Sequence, residues 1–298
     1  MLIYKKYLAD FLLVSIAIVW GASYSLTKGA LDFTPVLLFL VIRFGITFLF
    51  LLPFTIKNLL KSSKKSLIFG SLLGLVLSGI FLAETYGVKY TTAINATILI
   101  SLSIIFTPFI DSFRTKQLPS IKLIFAAILS IVGIYILTGN QDISLNSGDI
   151  LILIAATLRA VMLTFTKIFT NKYNINSLAL TQIQMGSILV VSFILLIVTT
   201  SNINMPTEFG FWSKLLFIVI FCTIFAFFAQ NYGLKHSSPN KASLLMGTEP
   251  LFGVIFAVVL LNENLTLNIV IGAVLIFVAT YIGVREDSKL NGDLTLDN

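Results

Sequence analysis

Long apolar stretches alternate with short polar connections along almost the whole chain. Ten of these stretches are about 20 residues long, which is the length that a helix needs to cross the hydrocarbon core of a membrane. They lack the strict alternation of apolar and polar residues typical of barrel strands, so they predict helices. We number them segments 1–10, and they cover residues 8–28, 33–55, 66–87, 92–112, 120–138, 148–168, 176–199, 212–233, 239–261 and 267–285.

The distribution of Lys and Arg predicts how these segments are oriented. With the amino terminus in the cytoplasm, fifteen of the twenty Lys and Arg residues fall on the cytoplasmic side, three on the outer side and two within segments. This asymmetry is the one that cytoplasmic loops of membrane proteins show. We therefore expect ten crossings of the inner, cytoplasmic membrane of a bacterium, with both termini cytoplasmic. The net charge of +7 follows from this bias and from attraction to anionic lipid, and it indicates no nucleic-acid partner.

Composition excludes most other classes of protein. The chain is 57% hydrophobic and 11% charged, whereas soluble domains carry about 25% charged residues. A soluble enzyme and a disordered protein are therefore excluded, and the single cysteine, Cys222, excludes a disulfide-stapled secreted domain. Outside the segments, the polar residues 286–298 are expected to form a disordered cytoplasmic tail.

Two parts of the chain repeat each other. Residues 84–99 align with residues 230–245 at an offset of 146, with Tyr86 and Gly87 identical to their counterparts. Nearer the start of each half, an offset of 139 pairs Asp10 with Asp149. The chain is thus predicted to consist of two halves of five helices, residues 8–138 and 148–285.

An odd number of crossings per half turns the second half upside down in the membrane. Equivalent loops should then carry opposite charge bias, and they do: residues 57–65 are strongly basic, while residues 199–213 hold Glu208 and no Lys or Arg. Inverted repeats are typical of alternating-access transporters, whose substrate site lies near the middle of the membrane between the repeats. The predicted fold class is therefore an all-α integral membrane protein of ten transmembrane helices in two inverted repeats.

Short motifs at the expected places in both halves resemble a known family. They are Trp20-Gly21, Arg43-Phe44, residues 90–96 (YTTAINA), residues 238–243 (SPNKAS), Glu249-Pro250 and residues 263–266 (ENLT). Together they resemble the EamA-type transporters of the drug/metabolite transporter superfamily, so that each half corresponds to one EamA repeat. The resemblance implies transport of amino acids or related metabolites, often by export. One departure is Lys116, where the family usually has a glutamate matching Glu263.

Charged residues within the segments are candidates for function, because each is costly to bury in hydrocarbon. Glu249 lies eleven residues into segment 9, where it could couple a proton, bind a substrate amine, or hold a structural hydrogen bond at a helix broken by Pro250. Arg159 is in the middle of segment 6 and aligns with Trp20 of segment 1. It could bind a substrate carboxylate or form a fixed ion pair with Glu249. Trp20 could stack on the substrate or fill space beside Gly21.

Other polar residues complete the predicted site. Glu84, at the outer end of segment 3, is a second candidate for proton coupling at the external mouth of the cavity, or a solvated interfacial residue. Asn95 and Asn231 are candidate hydrogen-bond donors to the substrate. Arg43 is expected to be structural and to anchor segment 2 to a neighbouring helix. Asp149, at the start of segment 6, is expected to cap that helix.

The predicted function is secondary active transport of a small polar metabolite across the cytoplasmic membrane. No catalytic motif, nucleotide-binding loop or metal-ligand pattern is present, so we expect neither an enzyme nor a cofactor nor a metal site. A channel is less favoured because no filter-like loop occurs. The alternatives are an uptake carrier for a nucleoside-like cofactor such as S-adenosylmethionine or for a nucleotide sugar, or a polytopic membrane protein that does not transport. A monomer is sufficient, since both halves are in one chain.

Overall fold

The computed structural model is a bundle of helices. It describes residues 2–91, 96, 99–137, 146–199, 204–253 and 266–290. Besides a short helical stretch at residues 249–253, the described helices are Leu2–Gly21, Ser23–Leu31, Val36–Leu60, Lys64–Tyr90, Ser103–Thr115, Ile121–Leu137, Ser147–Lys172, Ser177–Thr199, Phe209–Phe217, the π-helix Ile218–Phe225, Ala226–His236, Pro239–Met246 and Leu267–Leu290.

Length and composition mark this bundle as a multi-pass membrane protein. Within the described residues, seven helices are long and apolar enough to cross a membrane, and Ile121–Ile136 is a shorter apolar helix. The predicted all-helical membrane fold is therefore confirmed, while ten crossings and their orientation remain predictions. Large apolar side chains such as Leu49, Phe54 and Val198 are exposed on the outside of the bundle, as expected of surfaces that face lipid.

Polar side chains begin several of the helices. Ser63 accepts a hydrogen bond from the backbone N–H of Ser66, and Ser238 does the same for Lys241, with Pro239 at the first helical position. The helix of segment 6 begins with a capping box in which Asn146 is the cap. Asp149 is the third residue of this helix, and its carboxylate accepts from the N–H of Asn146 at 2.8 Å. The expectation that Asp149 itself is the cap is therefore corrected.

Segments 1, 8 and 9 depart from regular α-helix at one level of the bundle. Segment 1 is interrupted at Ala22, and segment 9 is interrupted at residues 247–248. Segment 8 contains the π-helix Ile218–Phe225. The interrupted segments touch, because a Cβ atom added to Gly21 would lie 2.7 Å from the backbone nitrogen of Gly253. Small residues allow helices this close an approach, and the interruptions surround the cavity described below.

Segments 5 and 10 pack against each other. A Cβ atom on Gly133 would lie 3.0 Å from the carbonyl oxygen of Gly272, so the two backbones are nearly in contact. The helix of segment 10 continues to Leu290, five residues past the predicted end of that segment at residue 285. Residues 291–298 lie outside the described part of the chain.

Candidate functional site

A buried cavity lies between the two halves of the chain. Segments 1, 2 and 3 line one part of it, and segments 6, 8 and 9 line the other. The cavity volume is about 40 Å³, so the site is compact in this structure. Four charged side chains line it: Arg43, Glu84, Arg159 and Glu249. Since two are acidic and two are basic, their formal charges cancel.

Arg159, Glu249 and Trp20 form one cluster in this cavity. The guanidinium nitrogen Nη2 of Arg159 lies 3.5 Å from the carboxylate oxygen Oε2 of Glu249, and both side chains are nearly inaccessible. The guanidinium carbon lies 4.7 Å from the centre of the Trp20 ring. Trp20 in turn donates its indole N–H to the carbonyl oxygen of Cys222 at 2.9 Å. Three of the residues predicted to contact the substrate are therefore neighbours, and Arg159 and Glu249 are paired with each other.

Glu84 faces the same cavity from segment 3. Its carboxylate is hydrogen-bonded to the side chain of Tyr24 in segment 1. It lies six residues before the last residue of the helix Lys64–Tyr90 and is partly buried. Glu84 thus lines the cavity. This position differs from the solvated interfacial position that was one of the two alternatives for it. Tyr24 was not among the predicted site residues.

Arg43 joins segment 2 to segment 8. Its Nε–H donates to the hydroxyl of Thr223 at 2.9 Å. The guanidinium also lies over the rings of Phe44 and Phe81, at 5.2 and 4.8 Å from their centres. These contacts are those of a helix-anchoring residue, as expected from sequence. Arg43 also lines the cavity, which the sequence did not indicate.

Asn231 does not line the cavity. Its side-chain amide donates to the hydroxyl of Thr181 at 3.0 Å and to Oε1 of Gln184 at 2.6 Å. This buried network ties segment 8 to segment 7. The role of Asn231 as a substrate contact stays a prediction. The other predicted amide, Asn95, lies outside the described residues.

Gln230, the neighbour of Asn231, faces the cavity instead. Its side chain is 1% exposed, and neither its Oε1 nor its Nε2 has a hydrogen-bond partner. Phe227, one turn earlier, also lines the cavity. The signal that could have identified Gln230 was its alignment with Glu84 at the offset of 146.

Residues related by the two sequence offsets meet in the cavity. Trp20 and Arg159, which differ by 139, are in contact as described above. Phe81 and Phe227, which differ by 146, have ring centres 5.5 Å apart. Residues at equivalent sequence positions in the two halves therefore meet beside the cavity.

Contacts between the two halves also occur at the two ends of the bundle, and Asp10 and Asp149, which differ by 139, each take part in one of them. Lys241 lies 2.8 Å from Oδ2 of Asp10 and joins segment 9 to segment 1; we call this region the Asp10 end. Thr91 donates its hydroxyl to Oδ1 of Asp149 at 2.5 Å and joins segment 3 to segment 6; we call this region the Asp149 end. Lys28, roughly 27 Å beyond Asp10 along segment 1, donates to the carbonyl of Thr91, so the two ends are on opposite sides of the bundle.

The helices that cross at these ends pack in the same way. At the Asp149 end, a Cβ atom on Gly87 would lie 2.6 Å from Cδ1 of Ile152. At the Asp10 end, a Cβ atom on Gly233 would lie 2.8 Å from Cδ2 of Leu13. The two glycines differ by 146 and the two aliphatic residues by 139, so equivalent pairs of residues meet at both crossings. Each crossing joins one half of the chain to the other.

No set of three His, Cys, Asp or Glu side chains suited to a metal ion occurs within the described ranges. The groups that line the cavity are instead guanidinium, carboxylate, amide, hydroxyl and aromatic. This donor set can bind a small polar organic molecule through hydrogen bonds, charge and ring contacts.

An apolar helical bundle that encloses a polar cavity between two halves defines a polytopic membrane protein with an internal ligand site. The model of the EamA-like transporter family matches residues 7–139 and again residues 146–285. The chain belongs to this family, and it is a membrane transporter.

Relatives of known sequence carry the same description. An "Uncharacterized transporter" of Archaeoglobus fulgidus is 30% identical over 278 residues, which cover 93% of this chain and 86% of the relative. The "Uncharacterized transporter YoaV" of Bacillus subtilis is 24% identical over 287 residues, covering 93% and 97% of the two chains. A solved crystal structure of a protein superimposes with a TM-score of 0.77 at 14% identity, covering 95% of this chain and 98% of the other. That likeness shows a shared fold.

Proposed function

We propose that this protein is a secondary carrier that moves a small, net-neutral polar metabolite across the cytoplasmic membrane by alternating access. The observation that carries the proposal is the cavity between the two halves, lined by charges that cancel. A carrier site of this kind offers groups for both ends of a zwitterion without a net charge of its own. The proposal includes ten crossings with both termini cytoplasmic, as the distribution of Lys and Arg predicts.

The two halves act as inverted repeats in this proposal. Two matches to one family model, residues 7–139 and 146–285, support it, since they nearly coincide with the predicted halves 8–138 and 148–285. Contacts between offset-related residues at the centre, and equivalent crossings of helices at both ends, support it as well. Helices interrupted beside the cavity are also typical of carriers built from inverted repeats.

The two ends of the bundle serve as gates. At the Asp10 end the gate is the ion pair between Asp10 and Lys241, and at the Asp149 end it is the hydrogen bond between Thr91 and Asp149. Each contact joins the two halves, so rocking one half against the other breaks one contact while it retains the other. In this proposal, the state with both contacts present is an occluded state.

Arg159 and Glu249 bind the cargo directly in this scheme. Their separation of 3.5 Å exceeds the 2.7–2.9 Å typical of a charge-assisted hydrogen bond. A loosely engaged pair can open around a zwitterion, with its carboxylate on Arg159 and its ammonium group on Glu249. Trp20 stacks on the bound molecule, and Glu249 couples transport to a proton. This chemistry favours an amino acid or a related compound, moved in the direction of export.

The second candidate cargo is a nucleoside-like cofactor, taken up from outside. Four aromatic side chains line the cavity, those of Trp20, Tyr24, Phe81 and Phe227. The Phe227 ring centre lies 5.5 Å from those of Trp20 and Phe81. Such rings can stack on a purine. S-adenosylmethionine carries both a purine and a zwitterion, so it would use the rings and the charges together.

Counterflow in proteoliposomes tests the proposal. Proteoliposomes that contain the purified protein are loaded with pooled unlabelled amino acids, or with pooled nucleosides and S-adenosylmethionine. The uptake of each labelled pool is then followed with and without a pH gradient. Saturable exchange of amino acids is expected, with an effect of the gradient that is lost in Glu249→Gln. Exchange confined to the second pool would support the alternative cargo. Exchange of neither pool would contradict both cargo classes.

A further inference from the structure

Gln230 is a buried amide with an unusual lack of partners. Its side chain is 1% exposed, and both of its polar atoms lack a hydrogen-bond partner. Gln182, Gln184, Asn231 and Asn240 are also buried, and each of them makes at least one side-chain hydrogen bond. Among the buried amides in the described part of the chain, Gln230 is therefore the one with both ends unsatisfied. Burying an amide in this way is unfavourable unless something else bonds to it.

The equivalent position in the first half explains why Gln230 has no protein partner. Glu84, its counterpart at the offset of 146, is hydrogen-bonded to Tyr24. The counterpart of Tyr24 at the offset of 139 is Leu163, which has no polar side-chain atom. The second half thus has no hydroxyl at the position from which Tyr24 bonds to Glu84 in the first half. If the two halves exchanged conformations during transport, Gln230 would still have no such hydroxyl beside it.

The charged groups of the cavity are engaged elsewhere. Arg159 is paired with Glu249, Arg43 donates to Thr223, and Glu84 bonds to Tyr24. None of these contacts uses Gln230, although Gln230 lines the same cavity as Arg159 and Glu249. The amide is therefore available to a molecule in the cavity without the rupture of an existing bond.

We infer that Gln230 determines which cargo binds, through a pair of hydrogen bonds made by its amide. This inference rests on the proposed transport function and narrows its substrate. The edge of a side-chain amide presents an N–H donor beside an oxygen acceptor, so a cargo with an acceptor beside a donor fits it through two hydrogen bonds. The ammonium and carboxylate of an amino acid, and the edge of an adenine, both have this pattern. A site built for such a pair discriminates strongly against molecules that lack it, because the amide is then left unpaired.

Two leucine variants separate this role from a structural one. Gln230→Leu removes the unpaired amide, so the melting temperature of the unloaded protein in detergent is expected to stay the same or rise. Gln184 is the matched control, since it is equally buried, accepts a hydrogen bond from Asn231 at 2.6 Å and does not line the cavity. Gln184→Leu is expected to lower the melting temperature. An equal fall in both variants would overturn the inference.

Binding is then measured by the shift in melting temperature with L-alanine, adenosine or S-adenosylmethionine as separate probes. A probe that stabilises the native protein is expected to stabilise Gln184→Leu as well, while its apparent Kd for Gln230→Leu rises about tenfold or more. Equal affinity in native protein and Gln230→Leu would overturn the inference. If no probe stabilises the native protein, the melting comparison alone decides it.

The inference and the proposed function fail in different ways. Binding that depends on Gln230, together with an absence of counterflow in proteoliposomes, would overturn transport and leave the binding role intact. Counterflow with the same KM in the native protein and Gln230→Leu would overturn the binding role and leave transport intact.

Discussion

The guanidinium of Arg159 lies over the ring of Trp20, 4.7 Å from the ring centre, and the two residues occupy equivalent positions in the two halves of the chain. The arrangement joins segment 1 to segment 6 at the centre of the bundle. A desolvated contact of this kind is worth about 2 kcal/mol or more. It holds the guanidinium beside Glu249 and presents an indole face and a cation to the same cavity.

Replacement of Trp20 is expected to impair transport more than it impairs folding. Trp20→Leu removes the ring that holds Arg159, so the initial rate of counterflow should fall about tenfold. The control is Trp212→Leu, because Trp212 bonds to the carbonyl of Pro206 and does not line the cavity. Rates are compared at equal amounts of inserted protein, and an equal loss in both variants would contradict a role for Trp20 at the site.

Arg159 and Glu249 are expected to be energetically coupled. Either Arg159→Leu or Glu249→Leu leaves one buried charge without its partner, which should cost about 3–5 kcal/mol in the free energy of unfolding. The double variant removes both charges and should recover most of that loss. Unfolding in detergent provides the double-mutant cycle. Additive losses in the double variant would mean that the two side chains do not interact.

The Asp10–Lys241 pair is expected to control opening at the Asp10 end. Cys222→Ala removes the only cysteine, and Ser23→Cys then places a single thiol on the wall of the cavity. In this background, Asp10→Asn should speed the reaction of that thiol with a maleimide, because the cavity opens more often. The exchanged pair Asp10→Lys with Lys241→Asp should restore slow labelling.

The matched control for this gate is Asp149→Asn. That substitution weakens the contact with Thr91 at the other end, so it should speed labelling from the opposite side of a sealed vesicle. A membrane-impermeant maleimide, applied from one side at a time, distinguishes the two. Faster labelling from the same side in both variants would contradict the assignment of the two contacts to separate gates.

The crossing of segments 3 and 6 is expected to tolerate no side chain at Gly148. A Cβ atom there would lie 2.8 Å from the carbonyl oxygen of Gly87 and from the backbone nitrogen of Thr91. Gly148→Ala should therefore cost about 1–3 kcal/mol of stability by overpacking. At Gly45 the nearest atom is 3.7 Å away, so Gly45→Ala should be neutral or stabilising. Thermal unfolding of both variants in detergent checks the difference.

Much of the site could be predicted from sequence because a charge in hydrocarbon is costly wherever it occurs. Arg159, Glu249 and Glu84 stand out in apolar segments, and the structure brings all three to one cavity. The repeat pattern also indicated that Trp20 and Arg159 are equivalent. Their direct contact was not predicted, because an offset along the chain says nothing about the distance between the two positions.

The neighbours Gln230 and Asn231 show what the sequence could not decide. Adjacent residues on a helix point in directions about 100° apart, so only one of the two faces the cavity. Both are polar residues in an apolar segment, so the hydrophobic pattern does not indicate which of the two faces the cavity. The packing of segment 7 against segment 8 decides which residue faces the cavity. Thr181 and Gln184 accept hydrogen bonds from the amide of Asn231, and Gln230 is left in the cavity.

The sequence by itself indicated that this protein lies in a lipid membrane, that it is helical, and that its two halves correspond in sequence. These properties depend on the cost of exposing backbone and charge to hydrocarbon, which acts on each segment separately. Only the tertiary structure decided which polar groups share the cavity, which are satisfied elsewhere, and which residues join the halves at each end. Those choices depend on the rotation and close approach of helices, which side-chain packing sets between segments far apart in the chain.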